Sequence, residues 1–360
     1  MSTAKYLSGD SATINEFLDK FDVSYEGAGA RHHLRNEALT PVRSSYSTAM
    51  ASSGPATWSL MASPRRSTCS EQMVCPQPPS HDSLTTHSTR YPFRMCSSLI
   101  QTAYSYPTGK KVVFVTNNST KSRQDYVKKL STLGIDADTD DIFGSSYSSA
   151  VYISRILSLP PTRRKVFVLG EAGIETELRA ENVPFVGGTD PALRRDVTPE
   201  DYRALADGSA LDPEVGAVLV GLDFHINYLK LATAFQYLRR GAVFLATNID
   251  STLPSAGSFF PGAGSVVAPL ALMAGAQPVS FGKPSAAMMD AIKGKFELNR
   301  ERTCMVGDRL NTDIQFGIDG GLGGTLAVLT GVNKKEDWEV EGAKVVPGYY
   351  VDKLSDLRNA

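Results

Sequence analysis

The stretch Lys-Lys-Val-Val-Phe-Val-Thr-Asn-Asn-Ser-Thr, residues 110–120, decides how the rest of the sequence is interpreted. Its apolar run is typical of a strand that is buried on both faces, as in a parallel sheet. A helical pattern follows as far as Leu133, where Gly134 predicts the end of the helix. A buried strand that runs through polar residues into a helix is the repeating unit of α/β proteins.

The same alternation continues along the chain. Further strands are predicted at 165–169, 217–221, 242–247, 303–306 and 324–329, and helices at 146–158, 227–239, 263–275, 285–296 and 309–318. This order predicts an α/β fold with a mainly parallel sheet, in which active sites lie at the carboxyl ends of the strands.

Composition excludes several classes of function. Of 360 residues, 42% are hydrophobic and 21% charged, as in ordinary soluble proteins. The 37 Lys and Arg residues balance 38 Asp and Glu residues, which argues against nucleic-acid or membrane partners. We find no spanning apolar run and no secretory leader. Four cysteines make no disulfide framework, so we expect a reducing, cytoplasmic setting.

Residues 23–108 differ from the rest of the chain. A short amphipathic helix is predicted at 12–22, but periodicity is then lost and the segment is rich in Ser, Thr and Pro. It also contains three of the four cysteines and four of the five histidines. Such a composition buries too little apolar area to offset the entropy of ordering, so we expect disorder.

Two polar clusters at predicted strand ends suit phosphate chemistry. Thr116 and Asn117 begin a group of hydroxyls, amides and free N–H groups at a helix start, which can bind phosphate oxygens or simply cap the helix. Lys283 lies between Gly282 and Pro284, where its cation would face a phosphoryl group or remain a solvated surface charge.

A third cluster combines two carboxylates. Asp308 ends an apolar strand, and Asp313 follows about one helical turn later. Asp308 has the oxygen chemistry that Mg²⁺ prefers, and Asp313 could order that site, although both residues could also be helix caps.

In this order and spacing, the three clusters resemble motifs II, III and IV of the haloacid dehalogenase (HAD) superfamily. The closer resemblance is to its 4-nitrophenylphosphatase and phosphoglycolate phosphatase family, and it includes Ala-Thr-Asn-Ile-Asp at 246–250 and Pro-Gly-Ala-Gly at 261–264. It implies a HAD-like Rossmannoid core with a parallel sheet and an inserted α/β cap of the C2 type. The core would comprise 1–22, 109–125 and 246–360, and the cap 126–245.

The resemblance also implies a Mg²⁺-dependent hydrolysis of phosphate monoesters through an aspartyl-phosphate. Thr116 and Asn117 would hold phosphate oxygens, and Lys283 would offset the charge of nucleophile and phosphate. Asp308 would bind Mg²⁺, helped by Asp313 from behind.

The substrate would be a small phosphorylated metabolite, with pyridoxal phosphate and sugar phosphates as alternatives to the family substrates. His225, within the cap segment, would contact substrate or have a structural role. The family also allows a homodimer through the cap. The glycine-rich run at 320–324 precedes a strand rather than following one, which favours a turn over a nucleotide loop.

The family's motif I, Asp-x-Asp-Gly, is missing where it is expected. Its first aspartate is the nucleophile and its second the general acid/base, and it should follow Phe21-Asp22-Val23 within a few residues. No such motif occurs there. The 360-residue chain is therefore expected to be inactive, or to be a non-catalytic isoform that still binds phosphate ligands.

Another reading frame of the anomalous segment restores the motif. Residues 47–55 can be encoded by TCG ACT GCG ATG GCG TCC TCT GGT CCG, which after a preceding C and a one-base shift reads Leu-Asp-Cys-Asp-Gly-Val-Leu-Trp-Ser. Codons at 23–24 and 74–75 permit splice donors, and those at 43 and 108–109 permit acceptors. We therefore interpret 23–108 as two retained introns around a frame-shifted exon, whose removal deletes about 56 residues and leaves about 304.

This hypothesis predicts that a shorter, spliced transcript exists. Sequencing of mature mRNA should reveal a shorter form that joins codon 22 to the shifted exon and re-enters the present frame at Gly109. If mature mRNA encoded residues 47–55 only in the present frame, with no shorter form, the hypothesis would be wrong.

Overall fold

The computed structural model describes residues 4–7, 11–21, 59–61, 112–296 and 298–358. Most of the segment 23–108, which was expected to be disordered, therefore lies outside the described residues. Within it, only the backbone of a short strand at 59–61 enters the following description.

The described residues form strands and helices in the alternating order that the sequence predicts. The strands are β1 Lys5–Tyr6, β2 Ser59–Met61, β3 Val113–Thr116, β4 Ile142–Gly144, β5 Lys165–Leu169, β6 Phe185–Gly187, β7 Val215–Val220, β8 Val243–Ala246, β9 Thr252–Ser255, β10 Ser258–Pro261, β11 Val279–Ser280, β12 Cys304–Gly307, β13 Gly324–Val328 and β14 Tyr349–Val351. The α-helices are α1 Ser11–Lys20, α2 Arg123–Thr132, α3 Ser145–Arg155, α4 Ala172–Ala180, α5 Pro199–Asp207, α6 Tyr228–Arg239, α7 Ala263–Ala274, α8 Ala286–Lys295 and α9 Gln315–Asp319. A π-helical turn at Leu310–Ile314 leads into α9.

The first sheet contains β3 and β12, the strands that are followed by the Thr116 and Asp308 clusters. In the described part of the chain it has seven strands in the order β1-β14-β13-β12-β2-β3-β4. Its pairs are parallel except for the two made by β2, which runs antiparallel to both β12 and β3. The position between β3 and β12 is thus the one place where this sheet changes direction among the described strands.

A second sheet is entirely parallel among the described strands, in the order β11-β8-β7-β5-β6. Two strand pairs bear on the segment 126–245, whose limits as a cap remain a prediction. β4, at 142–144, pairs with β3 in the first sheet, and β11, at 279–280, pairs with β8 in the second. β4, inside the segment predicted as the cap, is thus part of the first sheet, and β11, beyond that segment, is part of the second.

Helices cover both faces of each sheet. On the first sheet, α1 packs Ile14 and Phe17 against Val306 and Leu326, while α8 and α9 cover the other face of β3 and β12. On the second sheet, α6 and α7 cover one face, and α3 and α4 cover the other. Within the described ranges, no helix is both long enough and apolar enough to cross a membrane.

The start of α4 is packed closely against the loop that follows β3. The Gly173 N–H donates to the Thr120 carbonyl at 3.2 Å, and Glu177 accepts hydrogen bonds from the backbone and side chain of Arg123 at 2.7 and 3.0 Å. A Cβ at Gly173 would lie within 2.6 Å of the Thr120 and Lys121 backbones. Glycine at 173 therefore lets the second sheet's helix layer approach the loop that carries the Thr116 cluster.

Two glycine-to-alanine substitutions test this contact. Gly173→Ala should lower stability by about 1–3 kcal/mol, because backbone on both sides must move to admit the methyl group. Gly294→Ala lies in α8, where an added Cβ would meet nothing within 4 Å, and should stabilise by up to about 1 kcal/mol. Urea unfolding of both variants measures the difference. Equal effects from the two would contradict the close approach at Gly173.

Candidate active site

The three predicted clusters meet at the carboxyl ends of β3 and β12. The Lys283 ammonium lies 2.8 Å from Asp313 Oδ1 and donates to the Val115 carbonyl at 2.9 Å. Asp313 Oδ2 in turn accepts the backbone N–H groups of Asp308 and Arg309, both at 3.1 Å. Residues from three distant segments are thus joined by direct contacts, as the parallel-sheet rule predicted.

Thr116 is fully buried at the end of β3. Its hydroxyl lies 3.2 Å from the Tyr126 hydroxyl and accepts the backbone N–H of Asn118 at 3.2 Å. Burial raises the pKa of Tyr126, so this phenol stays neutral and can donate to Thr116. The hydroxyl is held in a defined position at the site, which suits the predicted contact with phosphate.

Asn117 is held differently from the prediction that its side chain binds phosphate. Its Nδ2 donates to the Lys283 carbonyl at 3.0 Å and to both Asp250 oxygens at 3.2 Å, while its Oδ1 accepts the Lys283 N–H at 2.7 Å. The amide is therefore engaged within the protein. The Thr116 hydroxyl remains the candidate phosphate donor of this segment, and the contact of Asn117 with phosphate stays a prediction.

Asp308 carries an oxygen without a hydrogen-bond partner among the described residues. Its Oδ2 accepts the Val332 N–H at 3.0 Å, whereas Oδ1 is buried and unsatisfied. Burial and the nearby Asp313 carboxylate raise the pKa of Asp308 to about 6. When ionised, a carboxylate with an oxygen that has no described partner is suited to bind a cation.

The residues present fit only part of a Mg²⁺ site. Asp308 Oδ1 is available, but both oxygens of Asp313 already accept hydrogen bonds or pair with Lys283. The described residues contain no group of three or more His, Cys, Asp or Glu side chains arranged to bind a metal. Asp308 therefore fits one carboxylate ligand of Mg²⁺, with Asp313 placed behind it to hold the loop.

His225 lies in an exposed loop after β7 rather than among these contacts. Its backbone N–H donates to Asp223 Oδ1 at 2.8 Å, and Asp223 pairs with buried Lys230 at 2.7 Å. No contact described for the chain joins the His225 imidazole to Lys283 or Asp308. Gly221, at the end of the same strand, does approach the loop after β3, where an added Cβ would lie 2.8 Å from Ser119 Oγ.

Sequence reasoning gave no role to Asp250 and Arg309. Asp250 faces Asn117, and burial raises the pKa of its carboxyl. Arg309 is buried beside Asp308 and donates to Thr252 at 3.3 Å. The available signal was the recurrence of a strand followed by Thr-Asn, at 116–117 and again at 247–248, which places two similar loops at one site.

The raised pKa of Asp308 predicts a pH-dependent gain in stability for Asp308→Asn. The folded-state pKa lies above the ordinary value of 3.8, so this group's stabilising contribution is complete below pH 3.8 and is lost as pH rises through about 6. The variant should melt about 2–6 °C higher than the parent at pH 7.5 in EDTA, and this difference should shrink below pH 5. Exposed Asp319→Asn is the control, with little change expected. An equal or lower melting temperature for Asp308→Asn at pH 7.5 would contradict the assignment.

Comparisons with known proteins agree with the geometry of the site. Models of haloacid dehalogenase-like hydrolases match residues 97–184 and 280–357. The chain is 50% identical over 250 residues to a 4-nitrophenylphosphatase from Schizosaccharomyces pombe, covering 69% of this chain and 82% of that protein. It is 41% identical over 254 residues to the chloroplastic phosphoglycolate phosphatase 1A of Arabidopsis thaliana, covering 69% and 67%.

A solved structure gives the same result. A glycerol phosphate phosphatase from Mycobacterium tuberculosis, in complex with magnesium, matches with a TM-score of 0.54 and 31% identity, covering 68% of this chain and 66% of that one. The fold, the converging motifs and these relatives all agree. The chain belongs to the haloacid dehalogenase superfamily, within its 4-nitrophenylphosphatase and phosphoglycolate phosphatase family of phosphoric monoester hydrolases.

Proposed function

We propose that the protein is a Mg²⁺-dependent phosphatase that acts through an aspartyl-phosphate, and that the 360-residue chain is inactive because it lacks the nucleophile. The observation that carries the proposal is the meeting of Lys283, Asp313 and the unpaired Asp308 oxygen at one end of β3 and β12. A cation, a buried anion and a carboxylate oxygen without a described partner suit a phosphate group and one ligand position of a divalent metal.

The strand in the centre of the first sheet supports the proposal that the 360-residue chain is inactive. In this superfamily the strand that carries motif I normally lies in the centre of the sheet. Here the position between β3 and β12 is taken by β2, which is antiparallel to both neighbours. A parallel strand in that position would end beside Thr116 and Gly307, at the edge where Lys283 and Asp308 meet.

The alternative reading frame that the codons permit would provide such a strand. It would encode Leu-Asp-Cys-Asp-Gly, in which the first aspartate would attack phosphorus and the second would protonate the leaving alkoxide. Water would then hydrolyse the acyl-phosphate and regenerate the carboxylate. We propose this strand, brought in by removal of the two introns, as the catalytic element of the functional protein.

The remaining roles follow from the contacts already described. The Lys283 cation would offset charge on the nucleophile and the transferring phosphoryl group, and Thr116 would donate to a phosphate oxygen. Asp308 would bind Mg²⁺ through Oδ1, while Asp313 holds the Asp308 backbone and Lys283 in place. Bound there, Mg²⁺ would supply positive charge against the phosphate.

A second candidate is a phosphate-binding protein without turnover. It is favoured by the presence of Thr116, Lys283 and Asp308 in a chain without motif I. Stabilisation by inorganic phosphate without hydrolysis, together with detection of the long protein in cells, would support it. In either case we propose a small phosphorylated metabolite as ligand, a cytoplasmic location and a homodimer through the cap; phosphoglycolate, glycerol phosphate, pyridoxal phosphate and sugar phosphates are the substrates to compare.

The spliced and unspliced proteins provide the decisive comparison. The form of about 304 residues should hydrolyse 4-nitrophenyl phosphate with Mg²⁺ and lose activity in EDTA. The 360-residue chain should be at least ~10³-fold slower, because it has no carboxylate to form the covalent intermediate. Release of 4-nitrophenolate measures both rates.

Two variants of the shorter form serve as controls. Replacing the first motif I aspartate by asparagine should abolish turnover while the protein stays folded. Lys283→Met should lower kcat about 10²–10³-fold, the usual effect of removing one charge-stabilising group. Equal activity in the 360-residue and spliced proteins would refute the proposal.

A further inference from the structure

The amide of Asn117 joins three chain segments that are far apart in sequence. Its two ends contact the backbone of Lys283 on both sides, since Oδ1 accepts the Lys283 N–H at 2.7 Å and Nδ2 donates to the Lys283 carbonyl at 3.0 Å. The same Nδ2 lies 3.2 Å from each oxygen of Asp250. The loop after β3 is thus connected to the loop after β11 and to the loop after β8.

Asp250 favours the same orientation of this amide as the Lys283 backbone does. An ionised carboxylate only accepts hydrogen bonds, so it selects the NH₂ end of Asn117 and leaves the carbonyl end facing Lys283. In the opposite orientation the Asn117 NH₂ would meet the Lys283 N–H, donor against donor. Burial raises the pKa of Asp250, whereas the nearby cations Arg309 and Lys283 act in the opposite direction.

The Asp250 carboxylate is itself on a rigid support. Its backbone N–H donates to Asn248 Oδ1 at 3.1 Å, and its carbonyl accepts the Gly264 N–H at 2.9 Å. Asn248 also donates to the Asn117 carbonyl at 2.7 Å. These backbone hydrogen bonds hold the Asp250 segment in place, so its carboxylate restrains the Asn117 amide.

The orientation of the Asn117 amide affects the position of Lys283, because the backbone at Gly282 is closely packed. A Cβ on Gly282 would lie 2.6 Å from Asn248 Cβ and 2.9 Å from Asn117 Oδ1. The Lys283 side chain is 1% exposed and ends between Val115 and Asp313. A displaced Lys283 backbone would move the ammonium away from these partners.

We propose that Asp250 is a positioning residue of the phosphatase site, which orients the Asn117 amide and thereby holds Lys283 with its ammonium between Val115 and Asp313. The catalytic meaning of this arrangement rests on the proposed function, because Lys283 is the cation expected to face phosphate. The contacts themselves are present in the 360-residue chain and can be tested without turnover.

Hydrogen exchange of the Lys283 ammonium provides a direct test. The full chain is labelled with ¹⁵N-lysine, and the Lys283 Nζ signal is identified by its loss in Lys283→Arg. Asp250→Ala should raise the exchange rate of this ammonium about tenfold, because the amide and the Lys283 backbone gain freedom to open locally. Asp250→Asn should give a smaller increase, since its carbonyl can still accept from Asn117 but its NH₂ can also turn toward it.

Asp223→Asn is the matched control. Asp223 is also a buried carboxylate that accepts from a lysine, but its partner is Lys230 and not Asn117 or Lys283. This variant should leave the Lys283 exchange rate within twofold of the parent. The proposal is overturned if Asp250→Ala leaves that rate unchanged, or if Asp223→Asn raises it equally, which would indicate general loosening. Circular dichroism checks folding, and Asp250→Asn carries the test if the alanine variant does not fold.

Kinetics in the spliced form separate this proposal from the proposed function. There, Asp250→Asn should lower kcat for 4-nitrophenyl phosphate more than it raises KM, because Lys283 is displaced without removal of a substrate contact. A larger change in KM than in kcat would contradict a positioning role and indicate direct substrate binding. If the spliced parent does not hydrolyse the substrate at all, the proposed function fails, while the exchange experiment still decides the role of Asp250.

Discussion

The buried ion pair between Lys283 and Asp313 is the contact on which the site depends. It joins the loop after β11 to the π-helical turn after β12, and the lysine also reaches the carbonyl of Val115 in β3. Removing water from two charges is costly, and the loss of one partner from such a pair typically costs about 3–5 kcal/mol. The pair is tolerable here because further hydrogen bonds engage both groups, and it holds the Asp308 loop in place through the other Asp313 oxygen.

This arrangement explains why Asp308 and Asp313 behave differently although they are only five residues apart. Asp313 is surrounded by donors and a cation, so its charge is compensated within the protein. Asp308 retains a buried oxygen without a described partner, and its pKa is raised. A residue that destabilises the unliganded fold in this way is typical of a binding site, where a ligand completes what the protein leaves unsatisfied.

The position between β3 and β12 imposes a second constraint. Strands on either side of it are parallel, and their carboxyl ends carry Thr116 and Asp308. A motif at the carboxyl end of the intervening strand lies beside these groups only if that strand runs in the same direction. β2 runs in the opposite direction. The strands on either side therefore place Thr116 and Asp308 at one edge of the sheet, but the carboxyl end of the strand between them lies at the other edge.

Much of the core could be predicted from local pattern. The strand Lys165–Leu169 agrees to the residue, and the predicted strand at 303–306 and helix at 263–275 are shifted by a residue or less. These elements are apolar runs with clear ends, so their own sequence defines them. The pattern did not reveal the β9–β10 hairpin or the two-residue strand β11, because such short elements depend on their partners rather than on their own periodicity.

The sequence by itself determined the α/β class and the family, because these properties depend on residue type and spacing. It also identified Thr116, Lys283, Asp308 and Asp313 as the candidate site residues. Only the tertiary structure decided that the Asn117 amide is engaged by Lys283 and Asp250, that His225 lies apart from the described contacts, and that β4 pairs with β3 and β11 with β8. The hydrogen bonds from Asn117 to Asp250 and to Lys283 join residues more than a hundred positions apart, and the strand pairs also join separate segments. No local pattern specifies such partners.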